Sequence, residues 1–587
     1  MKKISFSYIV IFIVVLSTTI VMMDLKLWKK DRIICWDVNH YYVYVPATFI
    51  YHDLTLYFKK TKEVQKKIWY LKTEDGKRVI KTSMGLAYLY TPAFFVGHAI
   101  AKLSDFPADG YSEPYKMVLS FNACLFLFLG LFYLRKFLKK YLNDITVGIT
   151  LLLIALGTNL FFYATIEPAM SHIYSFTLFA AFLYFIDKYY SKPTIKNSII
   201  IGLLFGLIVL VRPTNIIIGI FFLLYRVPSI KALKERVVFF KNKWFHLSFI
   251  ILAIIIIWLP QVIYWKIITG SWFYYSYQDE GFFFNNPQII EGLFGYRKGW
   301  FIYTPIMFFA TFIGIPILFS KVKDLSISVL LFVVLNIWII LSWWCWWYGG
   351  GFGGRAFIDS YAIMAIPLGF FINKILKLKL TSKILIFTTL IFFIYLNLFS
   401  TKQYYKKIIH WDSMTKESYW AHFLKDEHVK NWVSLLDRPD LKKALKGIYE
   451  SIPTIASPTA PGQYTAIQAA NNKFLKLKDP NAIIYANSLT IGNNEKFRVY
   501  KYKEQQLILQ ANNNHFMYAD KNIDSLIDAS SSNPWAWETF EVIQLENNKV
   551  ALKTDHGFYL SLQPNETIRG NSDTISLNEI FQIIFLE

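Results

Sequence analysis

Cysteine is scarce in this sequence: Cys35, Cys124 and Cys345 are the only three among 587 residues. So few thiols exclude a disulfide framework as the source of stability, and a single bridge between Cys35 and Cys345 remains as an alternative.

A small-residue cleavage site is also missing after the apolar run 4–23, which has the length of about 20 residues that a spanning helix needs. We therefore expect this run to be a retained first helix and not a removed signal peptide.

Apolar residues, in contrast, are abundant. Hydrophobic residues make up 55% of the chain and aromatic residues 18%, and the mean hydropathy is positive. This composition is too apolar for an ordinary soluble protein. It predicts a polytopic α-helical membrane protein.

Eleven apolar segments are candidates to cross a hydrocarbon layer of about 30 Å. They are residues 4–23, 116–134, 146–163, 171–186, 197–211, 214–225, 246–265, 300–320, 326–345, 356–373 and 383–400. We therefore predict about eleven transmembrane helices in a membrane domain of residues 1–401. Residues 24–113 form its first long outer loop in this interpretation.

Basic residues mark one side of this domain. With a cytoplasmic amino terminus, the short loops on that side are RKFLKK (135–140), DKYYSKPTIK (187–196), RVPSIKALKERVVFFKNK (226–243), KVKD (321–324) and KILKLKLTSK (374–383). This is the orientation that the positive-inside rule requires. The net charge of +22 is therefore mainly a topology signal and does not predict nucleic-acid binding. Lysines of the first long loop are expected to face anionic membrane lipids or a phosphate.

Beyond residue 400 the sequence becomes polar. Residues 402–462 are interrupted by four prolines and predict a stalk and linker. Residues 463–587 contain a repeat, because FLKL at 474, FMYA at 516 and FYLS at 558 recur every 42 residues. Each unit has the pattern of short strands joined by Asn- and Asp-rich turns. Three units of four strands predict a β-trefoil, which leaves few open strand edges.

The segment WETFEVIQLENNKVALKTDHGFYLSL (537–562) resembles the fascin-like β-trefoil family, and the resemblance covers about 463–587. Members of that family are mostly binding or interaction modules, some of them for carbohydrate. The resemblance therefore implies an interaction domain at the carboxyl end. Trp535 and Trp537 either stack on a sugar face or cap the barrel.

Charged and polar side chains collect at the outer end of the predicted bundle. They are Asp37, Glu167, His172, Arg212, Asp279, Glu280, Arg297, Lys298, Arg355 and Asp359. Such groups are costly at membrane depth and are kept mainly where they face a cavity. We therefore expect them to share a site that opens to the outer side.

The order of several motifs resembles one enzyme family. A first span, an outer loop that opens on Asp37, the segment GLAYLYTPAFFVGHAIA (85–101) and a span ending in RKFLKK resemble the GT-C membrane glycosyltransferases. The similarity is greatest to the protein O-mannosyltransferase and aminoarabinose transferase branch, which is family 39-like. Bacterial members have segments similar to EPAMSHIYSF (167–176), VRPTN (211–215), LFGYRKGWFIYTPI (293–306) and WWYGGGFGGRAFIDSYAIMAIPL (346–368). The resemblance covers about residues 1–400, but Asp37 is followed by Val38 where the branch usually has Glu.

This resemblance implies transfer of a sugar from a polyprenyl phosphate or diphosphate to a glycan, lipid or protein acceptor. The chemistry would take place in the periplasm, at the inner membrane of a bacterium. An acceptor hydroxyl or amine needs a base, and we assign that role to Asp37. We expect burial among Trp36, Tyr41 and Tyr42 to raise the pKa of Asp37 and make it a better base. The alternative is that Asp37 caps an interfacial helix.

The departing phosphate needs cations, and Arg297 with Lys298 and Arg355 are the candidates. Glycines at 349–351 and 353–354 would let the backbone approach a ligand before Arg355. The alternatives are an exposed charge pair for Arg297 and Lys298, and snorkelling at a helix end for Arg355.

Six further residues are weaker candidates for substrate contacts: Glu167, His172, Arg212, Asp279, Glu280 and His40. No spacing of ligand residues supports a metal site, so we expect no metal and no cofactor. A divalent ion held by Asp37, Glu167 and either Asp279 or Glu280 is the alternative.

Two other classes of function remain open at this point. A transporter or flippase for a lipid-linked or anionic substrate would also carry buried charge, but such folds usually show internal repeats and polar residues near the midplane. A structural anchor for the trefoil would leave the outer charges unexplained. The identity of the sugar and of the acceptor does not follow from the sequence.

Overall fold

The computed structural model describes residues 5–58, 61–430, 432–453, 462–478, 482–503, 505–520, 525–531, 534 and 536–586. Trp535 lies outside the described residues. The chain forms two compact units, which are Met1–His428 with Pro439–Ser451 and Val429–Arg438 with Ile452–Glu587. The division therefore falls within the predicted stalk 402–462.

The first unit is helical. Its longer helices are Phe6–Leu25, Gly85–Lys102, Glu113–Leu138, Asp144–Leu156, Ser171–Ser191, Ile195–Val211, Ile230–Asn242, Trp244–Thr269, Lys323–Leu341, Tyr361–Ile375 and Leu380–Tyr405. Its shorter helical segments are Leu27–Lys30, Asp37–Tyr42, Tyr44–Phe49, Lys62–Lys67, Leu160–Thr165, Pro213–Ile218, Gly219–Leu224, Ile289–Phe294, Trp300–Tyr303, Pro305–Phe309, Ala310–Gly314, Ile315–Lys321, Arg355–Ser360, Lys416–Ala421 and Leu441–Ala444. Two strands, Leu71–Lys72 and Arg78–Val79, pair antiparallel. Each of the eleven predicted segments contains helix, because apolar runs satisfy their backbone hydrogen bonds locally in this way.

Within the described ranges, six helices have the length and hydropathy needed to cross a membrane. They are Phe6–Lys30, Glu113–Leu138, Trp244–Thr269, Lys323–Leu341, Arg355–Ile375 and Leu380–Tyr405. Other apolar helices are shorter: Asp144–Leu156 has 13 residues, or about 20 Å at 1.5 Å per residue. The predicted span 300–320 is divided into several short helical segments, because Thr304 before Pro305 departs from helical geometry. The structure thus supports six spans and leaves the count of eleven open.

Long helices of this unit expose apolar side chains along one face. On Phe6–Leu25, these are Phe12, Leu16 and Ile20, which recur every four residues. On Trp244–Thr269, they are Ile251, Leu252, Ile255, Ile256, Leu259, Ile263 and Ile267. Continuous apolar faces of this kind are typical of surfaces covered by lipid or by a partner.

A polar cluster joins the amino terminus to two other helices at one end of the unit. Asp144 accepts hydrogen bonds from the hydroxyls of Ser5 and Ser7. Arg135 donates to Ser7 Oγ at 2.6 Å and to Ser5 Oγ at 2.9 Å. The loop that follows Arg135 therefore lies at the same end as the start of the chain.

Asp187 organises the neighbouring loops. Its buried carboxylate forms ion pairs with Lys140 and Arg226 and accepts a hydrogen bond from Tyr225 at 2.8 Å. These contacts bring together the basic loops 135–140, 187–196 and 226–243. The positive-inside pattern predicted that these three loops lie on one side of a membrane, and in the structure they share one end of the unit.

Part of the predicted outer loop 24–113 is helical. The helix Gly85–Lys102 has 18 residues and packs on Glu113–Leu138. A Cβ atom on Gly85 would lie 2.5 Å from the backbone nitrogen of Val211. The segment 24–113 therefore contains a helix, which begins at Gly85 and packs against Val211; its assignment as the first long outer loop stays a prediction.

The second unit contains twelve described strands in one closed arrangement. They are Gln463–Gln468, Phe474–Lys478, Ile483–Ser488, Phe497–Lys503, Gln506–Ala511, Phe516–Asp520, Leu526–Ser531, Thr539–Gln544, Val550–Thr554, Tyr559–Leu562, Ile568–Ser572 and Gln582–Phe585. The last strand pairs with the first, which closes the barrel. Three equivalent hairpins begin with the pairs Phe474 to Ser488, Phe516 to Ser531 and Tyr559 to Ser572. The third pair begins one residue later than the motif at 558. The unit is a β-trefoil, as the 42-residue repeat predicted. Outside the barrel lie the short elements Trp432–Leu435, Asp437–Pro439 and Ser451–Pro453.

One short motif recurs at the base of each trefoil repeat. Glu495, Glu538 and Glu579 are each 4% exposed and each precede a core phenylalanine by two positions. Glu579 accepts hydrogen bonds from the backbone N–H and hydroxyl of Ser576. A buried carboxylate is stable in this setting because local donors satisfy it. The core itself is formed by alternating strand residues such as Leu475, Leu477, Ile484, Phe497, Leu509, Met517, Ile527, Phe540, Leu552, Leu560 and Phe581.

Candidate functional site

Asp37 and Arg355 form an ion pair in the helical unit. Asp37 begins the helix Asp37–Tyr42, and the preceding Trp36 has a φ angle of +52° that turns the chain into it. The Oδ2 atom of Asp37 lies 3.1 Å from Nη2 of Arg355. The Asp37 side chain is 47% exposed, whereas that of Arg355 is 13% exposed. The carboxylate is therefore accessible from outside the protein, while the guanidinium is held within it.

This ion pair sets the protonation state of Asp37. Crowding by protein atoms raises the pKa of Asp37, but the charge and hydrogen bond of Arg355 lower it, and the net pKa is below the usual value. Burial has the predicted direction, but the prediction that the pKa of Asp37 is raised overall was wrong. Arg355, which reverses the direction of the pKa shift, is 318 residues away from Asp37 in the sequence.

The glycine-rich loop fits closely around Arg355. A Cβ atom on Gly351 would lie 2.8 Å from both the Tyr163 hydroxyl and Cδ of Arg355, so only glycine allows this approach. The hydroxyl of Tyr163 accepts a hydrogen bond from the backbone N–H of Phe352 at 3.0 Å. Within the described part of the chain, the buried Nε of Arg355 has no hydrogen-bond partner. Arg355 thus retains an unused donor beside the loop.

Lys298 lies under the same loop. Its buried ammonium donates hydrogen bonds to the carbonyl oxygens of Gly351 and Trp411, the latter at 2.6 Å. Burial lowers the pKa of Lys298 to about 7, against the opposing charge of Asp412. Lys298 is therefore partly protonated near neutral pH and supports the loop from within.

Arg297 points to a different part of the unit. Its guanidinium donates to the carbonyl of Asp412 at 2.5 Å and to the hydroxyl of Ser451 at 3.1 Å. It also lies 5.8 Å from the ring centroid of Trp347. These contacts hold the segment that follows the helix Leu380–Tyr405. A phosphate-binding role for Arg297 remains a prediction, and its contacts favour a structural one.

Glu167 is a second carboxyl group in this cluster. It follows the helix Leu160–Thr165 and is half-buried. Burial raises its pKa to about 7, while Arg355 and Lys298 lower it and Asp37 raises it. Asp37 and Glu167 therefore differ in protonation behaviour although they share the field of Arg355. Such a pair is the usual arrangement for separate acid and base roles.

Asp359 connects two of the weaker candidates. It accepts a hydrogen bond from Asn215 at 3.0 Å, lies 3.4 Å from Nη1 of Arg212 and lies 3.2 Å from Nδ1 of His172. The ring of His172 also packs edge-on against Tyr163, with centroids 4.8 Å apart. Arg212 and His172 therefore belong to a buried network that adjoins the Arg355 loop.

Lys81 also belongs to the site. The sequence pattern did not identify it as a site residue, because it lies in a loop with many other lysines. Its ammonium forms an ion pair with Glu280 and lies 5.2 Å from the ring centroid of Tyr277. The charge of Lys81 lowers the pKa of Asp37. Glu280 thus joins the site through Lys81, whereas Asp279 is exposed. A basic residue two positions after the strand Arg78–Val79 is not part of a recognisable sequence motif.

His40 follows Asp37 by one helical turn. Its ring packs edge-on against Trp69, with centroids 5.7 Å apart. Burial lowers the pKa of His40 to about 4, although the charge of Asp37 raises it. His40 is therefore neutral at physiological pH and acts as a packing residue beside the carboxylate.

A recess opens next to the Arg355 loop. Its cavity volume is only about 10 Å³, and it is lined by Gly292, Lys298, Ile340, Leu341, Trp346, Trp347, Tyr348, Gly354, Arg355, Ala356 and Phe357. This is about the space that one water molecule occupies. The recess in this conformation therefore does not hold a phosphate or a whole lipid-linked sugar. Across the described residues, there is no group of three His, Cys, Asp or Glu side chains suited to a metal ion.

The FRG1-like domain family matches residues 528–587, which lie in the trefoil. A designed three-fold symmetric protein, ThreeFoil, is 14% identical in sequence, with a TM-score of 0.20, and the alignment covers 21% of this chain and 99% of that protein. No curated protein matches this chain.

Proposed function

We propose that this protein transfers a sugar from a polyprenyl-phosphate-linked donor to an acceptor on the periplasmic side of a bacterial inner membrane. The observation that supports this most is the ion pair of Asp37 and Arg355. It combines an accessible carboxylate with a buried guanidinium that has a donor to spare. A proton acceptor next to a phosphate-binding cation is what the reaction requires.

The pair also provides a way to activate the base. When Arg355 binds the donor phosphate, its interaction with Asp37 becomes weaker. The pKa of Asp37 then rises from its lowered value. A carboxylate with a higher pKa accepts the acceptor's proton more readily. The acceptor oxygen or nitrogen then forms a bond to the anomeric carbon, while the bond from that carbon to the phosphate oxygen breaks. Polyprenyl phosphate leaves with the electron pair, and Lys298 and Arg355 stabilise its charge.

The membrane arrangement follows from the same proposal. Eleven crossings from a cytoplasmic amino terminus would put residue 402 and the trefoil in the periplasm. The Asp144 and Asp187 clusters would then lie in the cytoplasm, together with the basic loops. The trefoil would bind the acceptor glycan or lipid there. Exposed apolar faces on the long helices are consistent with contact to the polyprenyl chain and to membrane lipids.

A transporter or flippase for a lipid-linked substrate is the second candidate. Buried charges such as Arg212 and Asp359 would suit it. It would move the donor without breaking the bond between sugar and phosphate, so product chemistry separates the two.

The direct test is turnover by the purified full-length protein. Reconstituted protein with a radiolabelled polyprenyl-phosphate sugar and a mixture of outer-envelope glycans, lipids and peptides is expected to release polyprenyl phosphate. The release should depend on an acceptor. Movement of intact donor across the bilayer, with no acceptor-dependent cleavage, would establish the transporter instead.

The pH dependence of this activity is a specific prediction. Glu167 has a pKa of about 7, so it is mostly protonated below that pH and ionised above it. If the ionised form assists proton removal, transfer by the wild-type protein rises with pH through about 7. Glu167→Gln is expected to remove this inflection, measured as initial rates from about pH 5.5 to 8.5. Glu417→Gln, at an exposed carboxylate, is the matched control. An unchanged inflection in Glu167→Gln would exclude this role.

A further inference from the structure

The helix Ile230–Asn242 is attached to the helical unit along one edge. Phe240 packs on Phe222 with ring centroids 5.7 Å apart, and the guanidinium of Arg236 lies 3.7 Å from the ring centroid of Tyr190. No residue of this helix is fully buried. The side away from these contacts is therefore uncovered.

An exposed apolar stripe begins at the edge of these contacts and continues onto the uncovered side. Ile230, Leu233 and Val237 are 77%, 42% and 62% exposed. Their spacing of three and four residues puts them on one face of the helix. Trp244, at the start of the next helix, is 68% exposed. Apolar stripes of this length are usually covered by a membrane or by a partner protein.

Three lysines border the stripe. At 100° per residue, Lys234 and Lys241 lie next to Ile230 on the helix surface, and Lys231 lies about 60° further round. All three are exposed. In the part of the chain that the structure describes, none of them has an ion pair within 4.0 Å. Their charges are therefore not neutralised by the protein.

Nearby acidic groups do not neutralise these three lysines. Glu235 is exposed on the same helix. Asp187, at the adjacent helix end, is already paired with Lys140 and Arg226. The face therefore keeps an excess of positive charge.

The position of this helix fits the level of lipid head groups. Tyr264, in the helix Trp244–Thr269, accepts a hydrogen bond from the backbone N–H of Ile80, beside Lys81 and the candidate site. Trp244 is 20 residues earlier, which corresponds to about 30 Å of helix and matches the thickness of a hydrocarbon core. The helix Ile230–Asn242 thus adjoins the opposite interface.

We propose that this helix is an interfacial anchor that binds anionic phospholipid head groups. Leu233 and Val237 enter the boundary between head groups and acyl chains, and Lys231, Lys234 and Lys241 contact the lipid phosphates. Continuity with the lipid-facing helix Trp244–Thr269 favours a lipid surface over a soluble partner. The proposal does not depend on the glycosyl-transfer activity.

The test is lipid retention by the purified full-length protein in micelles with equal amounts of phosphatidylglycerol and phosphatidylcholine. Native mass spectrometry of the wild-type protein is expected to show preferential retention of phosphatidylglycerol. A triple variant, Lys231→Gln with Lys234→Gln and Lys241→Gln, should lower this preference by at least about tenfold, because each basic residue near the surface contributes roughly a factor of five.

A matched variant removes the same charge elsewhere: Lys407→Gln with Lys416→Gln and Lys425→Gln, all exposed. It should keep the wild-type preference. Leu233→Ser with Val237→Ser should reduce retention of both lipids while its thermal unfolding stays wild-type. A triple variant with undiminished preference for phosphatidylglycerol, or an equal loss in the matched variant, would overturn the proposal.

Discussion

Asp37→Asn is expected to lower the rate of sugar transfer roughly 10²–10⁴ fold, the usual contribution of a general base. Asn keeps the size of the side chain and still offers an oxygen to Arg355, but it cannot accept the acceptor's proton. Donor binding should change little, because Arg355 and Lys298 remain. Single-turnover release of polyprenyl phosphate, together with donor KM, separates these two effects.

Asp105→Asn is a suitable control, because Asp105 is an exposed carboxylate in the same predicted outer loop. It should have the wild-type rate. A wild-type rate in Asp37→Asn would mean that the carboxylate is not the base. Glu167, whose pKa is already near 7, would then be the next candidate, before Glu280 and Asp279.

Arg355→Ala is expected to weaken donor binding and to slow transfer, with an overall loss in kcat/KM of roughly 10²–10³ fold, as for removal of one donor to a developing anion. The same change leaves Asp37 without its partner, so the pKa of Asp37 should rise and the pH profile should move upward. The measurement is kcat/KM for the donor across pH. Loss of kcat alone, with normal donor KM and an unshifted profile, would contradict both roles.

Two variants define the specificity of that effect. Arg355→Lys keeps the charge but not the two-point geometry of the guanidinium, so it should recover part of the binding only. Arg498→Ala removes a partly exposed arginine of the trefoil, which donates to Tyr464 at 2.5 Å, and should leave turnover unchanged. The double variant of Asp37→Asn and Arg355→Ala should be less than additive if both act on one transition state.

Local pattern was sufficient to predict the class of each unit. The eleven apolar segments contain helix, and the repeat of about 42 residues marks a trefoil in which Phe474, Phe516 and Tyr559 begin equivalent hairpins. Hydrogen bonding within a helix and the alternation of residues along a strand involve near neighbours, so the sequence records them directly. The grouping of basic loops on one side is also local, because each loop carries its own charge.

The chemistry of the site was decided by tertiary contacts. Asp37 was recognisable as a candidate, but the direction of its pKa depends on Arg355, which is 318 residues away. Lys81 and Glu167 act on Asp37 only because folding brings their charges near it. Arg297 is next to Lys298 in sequence, but its contact with Asp412 directs it to a different part of the unit. Coulomb energy depends on distance in space and on burial, and neither quantity is encoded by spacing along the chain.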